Sequence, residues 1–190
     1  MHKGFLYFSD MQRKEVIKMN VDNSGEVVDR FMFNDLVSGL GFLPDGRMLV
    51  VSMEEKKILV VDENDKDPKL YADLSHISKY RCNDMVVDAL GRAYVGNYGF
   101  DHAHFITDSC TTTISFVDSD QTVHLAAKGL FFPNGSVITP DGSTLIVAET
   151  FSGILTAFDI DCDGRLSNRR IWADIGIPVD GMCLDAEGCM

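Results

Sequence analysis

Four polar residues, Ser38, Asn83, Asn134 and Asp180, each stand eight positions before a glycine in a recurring phrase. The phrase reads SGLGFLPDGR at 38–47, NDMVVDALGR at 83–92, NGSVITPDGS at 134–143 and DGMCLDAEGC at 180–189. Asn83, Asn134 and Asp180 carry side-chain oxygens, the donor type preferred by hard divalent cations, and repetition in register would turn all three toward one point. Taken singly, Asn-Gly and Asp-Gly are also ordinary turn formers, so it is the shared register that points to a site. Arg81, two residues before Asn83, would face the same way at strand period and offer a fork of donors to an anionic or hydroxyl-rich ligand; the alternative is a surface arginine paired with a carboxylate. The irregular stretch NYGFDHAHFITDSC, 97–110, is long enough to lean over such a site, with Asp101, His102 and His104 as candidate contacts.

Other motifs carry less. Asp159, Asp161, Asp163 and Gly164 match the start of an EF-hand loop, but position twelve is Arg170 where a bidentate Glu is needed, so the stretch reads as an acidic hairpin turn. Asn134-Gly135-Ser136 is formally a glycosylation acceptor, without a secretory signal to give it meaning. No G-x-S-x-G is present, and the five cysteines form no C-x-x-C pair, which fits reduced thiols rather than a disulfide framework or a zinc knuckle.

The elements that must position these residues follow from the repeat. The turn glycines Gly46, Gly91, Gly142 and Gly188 are 45, 51 and 46 residues apart, and a weaker turn at His2-Lys3-Gly4 lies 42 residues before Gly46. Each phrase leads into period-2, β-branched runs, 47–52 and 57–62, then 92–97 and 112–118, then 143–150 and 153–160. Four short strands per period of about 46 residues describe propeller blades, whereas a sandwich or barrel predicts no such long period. The phrase is then the innermost strand of each blade, and its polar residues gather at one mouth of the central channel.

Composition narrows the partners. The 190 residues have 45% apolar content and a formal net charge of −12, which describes one globular domain that repels nucleic acid and anionic membrane. The apolar runs are far shorter than the ~20 residues of a transmembrane helix, and with no apolar leader the chain is expected to stay in the cytoplasm.

At GLGFLPDGRMLVVSM, RCNDMVVDALGRAYVGNYGFD, FPNGSVITPDGSTLIVAETFSGILTAFDI and VDGMCLDAEG the sequence resembles the family of senescence marker protein (regucalcin), gluconolactonase and luciferin-regenerating enzyme. The resemblance implies an all-β, six-bladed β-propeller, of which residues 1–190 would form a single partial domain of about four blades. It also implies one divalent metal, calcium foremost with zinc, magnesium or manganese as alternatives, and a small-molecule lactone substrate. By motif position Asn134 and Asp180 resemble the family's metal ligands, Asp180 also its general base. Arg81 and Asn83 resemble its substrate-contacting pair, and Asp101 an acidic substrate contact. The family's first-blade Glu would precede Met1, so the chain is expected to be a fragment that is weakly active or inactive alone. The function implied is metal-dependent hydrolysis of a sugar lactone. An esterase or phosphotriesterase on the same channel, a non-catalytic binding platform and a calcium-binding protein remain alternatives.

Overall fold

The computed structural model describes residues 2–22, 25–101, 111–185 and 187–189. His102, His104 and Cys110 therefore lie outside the described residues. Among the described residues fifteen strands form four antiparallel sheets. The first blade holds β1 (Phe5–Asp10), β2 (Glu15–Asn20) and β3 (Val27–Met32). The second holds β4 (Val37–Phe42), β5 (Met48–Ser52), β6 (Lys57–Val61) and β7 (Lys69–Asp73). The third is β8 (Cys82–Val87), β9 (Ala93–Asn97), β10 (Thr112–Val117) and β11 (Val123–Leu130). The fourth is β12 (Pro133–Ile138), β13 (Thr144–Glu149), β14 (Ile154–Ile160) and β15 (Leu166–Asp174). Order within every sheet follows the chain, as hairpins require. β1 follows the Gly4 turn as β5 follows the Gly46 turn, so β1 to β3 occupy the second, third and fourth places of a blade.

Glycine closes the hairpin that follows each repeated phrase because the backbone there turns left-handed, with φ of +92° at Gly46 and +72° at Gly142. The neighbouring aspartates complete the turn. The Asp45 carboxylate accepts the Arg47 N–H at 3.0 Å, and Asp88 accepts those of Leu90 and Arg92, both at 2.9 Å. Asp161 accepts the Asp163 and Arg165 N–H groups at 2.9 and 2.8 Å, so the EF-hand-like stretch is an Asx-capped hairpin, as its sequence suggests. Asp185 caps in the same way, accepting the N–H groups of Glu187 and Cys189 at 2.9 and 2.8 Å.

The middle strands β5, β9 and β13 are buried on both faces because each is packed between a neighbour on either side. Met48 and Val50 of β5 pack toward the first blade with Val16 and Phe31, while Leu49 and Val51 pack toward the third with Met85 and Val95. The alternation continues in β13. Leu145 and Val147 meet Tyr94 and Phe116, whereas Ile146 and Ala148 support Val179, Met182 and Leu184 of the following segment. Polar ties cross between blades as well. The Tyr94 hydroxyl donates to Gly164 O at 2.7 Å and Arg92 donates to Cys162 O at 2.9 Å.

Burial also sorts the thiols. Cys82 is fully enclosed, and burial pushes its thiol up to about 11, while Cys162, Cys183 and Cys189 are exposed. Disulfide reagent near pH 8 is expected to titrate these three in the native protein and Cys82 only after denaturation, because thiolate is the reacting form. Reaction of Cys82 at the rate of the other three would contradict the packing between blades two and three.

Candidate functional site

The innermost strands share one irregularity at one place. Val37 pairs with Ser52 but Leu40 with Val50, Cys82 with Asn97 but Met85 with Val95, and Pro133 with Glu149 but Ser136 with Val147. Each innermost strand therefore carries an extra residue, a bulge that re-aims its side chains out of the ladder. The residues inside the bulges are Ser38-Gly39, Asn83-Asp84 and Asn134-Gly135, so the register read from sequence is the register of the bulges. Asp180-Gly181 begins the fourth copy of the phrase beside β12, where the Gly135 N–H donates to Asp180 O at 3.1 Å.

Glycine at two of these places answers to close backbone approach. A Cβ on Gly39 would lie 2.5 Å from Met85 N, and one on Gly135 would lie 2.7 Å from both Asp180 O and Met182 N. Innermost strands thus touch backbone to backbone, which draws their polar side chains together. Asn83 Nδ2 donates to Asn134 Oδ1 at 3.0 Å, and Asn134 Nδ2 donates to Thr150 Oγ1 at 3.2 Å. Upstream, Ser38 Oγ donates to Asn83 O and Ser9 Oγ to Ser38 O, which extends the chain of hydrogen bonds across all four blades.

The bulge of the third blade departs from the glycine pattern. Asp84 stands where the other copies have Gly39, Gly135 and Gly181, and this departure is the signal that reading the first bulge position alone misses. Its half-buried carboxyl accepts the Met85 N–H at 2.8 Å. Burial holds it above the usual carboxylate range, with the negative charge of Asp180 pushing the same way.

Arg81 forms an ion pair with Glu54, which raises the guanidinium above its ordinary value. Its carbonyl accepts the Tyr98 N–H at 3.0 Å. The Tyr98 hydroxyl is pushed up by burial, with the charges of Arg81, Asp180 and Glu54 all acting on it, so these groups share one neighbourhood. Asn83 is buried, Asn134 and Arg81 are half-buried and Asp180 is exposed. Asp101 is an exposed residue at the edge of the described segment, just beyond Phe100. The structure thus brings Arg81, Asn83, Asn134 and Asp180 to one end of the innermost strands, and adds Asp84 and Tyr98, which sequence reading passed over. Among the described residues no three His, Cys, Asp or Glu side chains gather as a metal cluster. The donor set at this end is mixed, two acids with the amides of Asn83 and Asn134.

The model of the SMP-30/gluconolactonase/LRE-like region matches residues 1–190. Regucalcin of Pongo abelii is 26% identical over 184 residues, covering 94% of this chain and 57% of its own length. A pentonolactonase, XacC of Haloferax volcanii, is 25% identical over 158 residues, covering 80% of this chain and 50% of its own. Among solved structures, a calcium-binding regucalcin from Agrobacterium tumefaciens strain C58 superposes with a TM-score of 0.78 at 21% identity, covering 97% of this chain and 61% of the other. The chain thus spans between half and three fifths of the length of these proteins and shares their propeller fold. From its strand repeat, its bulged inner strands and the match along its whole length, the chain belongs to the SMP-30/gluconolactonase/LRE-like family.

Proposed function

We propose that the channel end holds one divalent cation, calcium foremost, and opens the ring of a lactone. The observation that carries this reading is the Gly135 N–H to Asp180 O bond, which sets Asp180 beside Asn134 and Asn83. The residues fit a hard cation on their own chemistry. Burial, with the negative charge of Asp180 adding to it, disfavours the charge on Asp84, and the amide oxygen of Asn134 stands in the same group. Positive charge placed there would relieve the repulsion. Asn134 and Asp180 would be the ligands, and zinc, magnesium or manganese would satisfy the same oxygens. A bound cation supplies Lewis-acid polarisation of the ring carbonyl and a more acidic water.

The chain's own side chains do the rest. Asp180, exposed to solvent, accepts the proton of the attacking water at its carboxylate and gives it to the ring oxygen as the acyl C–O bond breaks. The Asn83 amide and the Arg81 guanidinium, the latter steadied by Glu54, orient the oxygens of the lactone, and Asp101 at the rim accepts from a substrate hydroxyl. Gluconolactone and pentonolactones are the first substrates to try, on the names the relatives carry.

Calorimetric titration of the chain with calcium tests the site without depending on turnover. Asp180→Ala and Asn134→Ala are each expected to weaken binding by about tenfold or more, with Asp180→Ala the larger because it removes the charge. Calcium binding that ignores both substitutions would overturn the assignment. In a protein that turns over lactone, Asp180→Ala should abolish hydrolysis. A non-catalytic platform would instead keep its partner.

A further inference from the structure

Beside the polar channel end lies a ledge of four aromatic rings with one polar atom among them. The Tyr98 and Phe100 rings stack at 5.4 Å, and Phe132 meets Tyr98 edge-on at 4.7 Å and Phe100 at 5.4 Å. Phe151 caps the group, 5.2 Å from Phe132 and 5.5 Å from Phe100, and is 56% exposed. Chain connectivity fixes the ledge to the candidate site. Phe132 leads through Pro133 to Asn134, Phe151 follows Thr150, which accepts from the Asn134 amide, and Tyr98 is bonded to Arg81.

The ledge is held at some cost. Phe132 has φ +56°, a left-handed conformation that bulky residues avoid. Its neighbours enforce it, since the Phe131 N–H donates to Glu149 at 2.7 Å and the Thr150 N–H to Phe132 O at 3.1 Å. Such backbone strain, here two residues before Asn134, is a cost that clusters at functional sites.

We infer that this ledge is the specificity element of the site, and that it selects lactones bearing an apolar, ring-sized arm over hydroxyl-dense sugar lactones. The inference rests on the proposed lactone reading and narrows it. Phe100, Phe132 and Phe151 have no polar atom with which to replace the water that sugar hydroxyls would give up on covering them. An aryl or alkyl arm loses no hydrogen bond there, and it removes from water the open face of Phe151 together with its own surface.

The test is equilibrium binding of two lactams, which resist hydrolysis, to the 190-residue chain in saturating calcium chloride. The probes are 3,4-dihydroquinolin-2-one and glucono-δ-lactam, read by calorimetry and by saturation-transfer NMR. The aryl lactam is expected to bind at least about tenfold more tightly, and Phe151→Ala to remove about fivefold or more of that preference. The same variant should leave glucono-δ-lactam affinity, calcium affinity and melting temperature as they are. Equal affinity for the two lactams, or an aryl preference untouched by Phe151→Ala, would overturn the inference while Asp180-dependent calcium binding kept the lactone reading standing. A large fall in melting temperature with Phe151→Ala would show the rings to be packing only and would also overturn it. Absence of Asp180-dependent calcium binding together with absence of lactam binding would bring down the lactone reading and this inference with it.

Discussion

Gly135→Ala is expected to cost about 1–3 kcal/mol of stability and to weaken calcium binding by about 10- to 100-fold, although residue 135 offers no side chain to any ligand. Three backbone atoms stand where the new methyl would go, Asp180 O and Met182 N at 2.7 Å and Gly181 Cα at 2.8 Å. None is the end of a flexible side chain, so the 180–182 segment itself must move. Its displacement breaks the Gly135 N–H to Asp180 O bond and carries the Asp180 carboxylate away from Asn134. Gly142→Ala gives the contrast, since no atom lies within 4 Å of its Cβ position and its cost is only that of a left-handed backbone at φ +72°. It should lose stability without losing calcium. The check is paired urea denaturation and calcium titration on both variants, and equal calcium affinity in Gly135→Ala and the unaltered chain would mean that strand contact does not position Asp180.

The same contact explains how much of the molecule its sequence discloses. Blades are legible because the hairpin after each phrase carries its glycine and its capping aspartate at fixed offsets, and the two-faced burial of β5, β9 and β13 demands largely apolar runs. The register of Asn83 and Asn134 is legible for the same reason, since eight residues from a turn glycine is a fixed distance along a strand. The bulges are not. They arise where neighbouring innermost strands approach, and nothing local to Val37–Phe42 or Pro133–Ile138 marks an extra residue except a glycine that could as well belong to a turn.

Long-range pairing hides the rest. Asp84 looks like one acidic residue in a chain with 29, and its character comes from burial and from Asp180, 96 positions away. Arg81 reads equally as a ligand contact or as a paired surface residue, and the structure supplies the pair in Glu54. An ion pair of this kind steadies the guanidinium without consuming all five of its donors, so pairing and ligand contact are compatible. The aromatic ledge is assembled from the ends of β9 and β13 and the residues leading into β12, and no window of sequence contains it.

Glu149→Ala is expected to be the most destabilising change of side chain at this end of the fold, by about 3–5 kcal/mol. The side chain is fully enclosed, and each oxygen is committed. One accepts the Phe131 N–H at 2.7 Å, the other the Thr156 hydroxyl at 2.5 Å and the Arg169 guanidinium at 2.9 Å. Truncation leaves the N–H of half-buried Phe131 and the buried Thr156 hydroxyl without an acceptor, together worth about 1–3 kcal/mol or more, and opens a cavity besides. Arg169 suffers less, because its side chain is 40% exposed and it keeps the carbonyls of Lys128 and Gly129. The expected order in urea denaturation is therefore Glu149→Ala, then Arg169→Ala, then Thr156→Val at about 1 kcal/mol. Because Glu149 also secures the strained turn at Phe131 and Phe132, its loss should unseat the aromatic ledge, and with it any preference for an aryl arm, while the Asn83 to Asn134 bond survives in the folded fraction. A Glu149→Ala protein within about 1 kcal/mol of the unaltered chain would mean that water enters the cavity and serves both orphaned donors, and the turn would then owe its shape to the Thr150 N–H to Phe132 O bond alone.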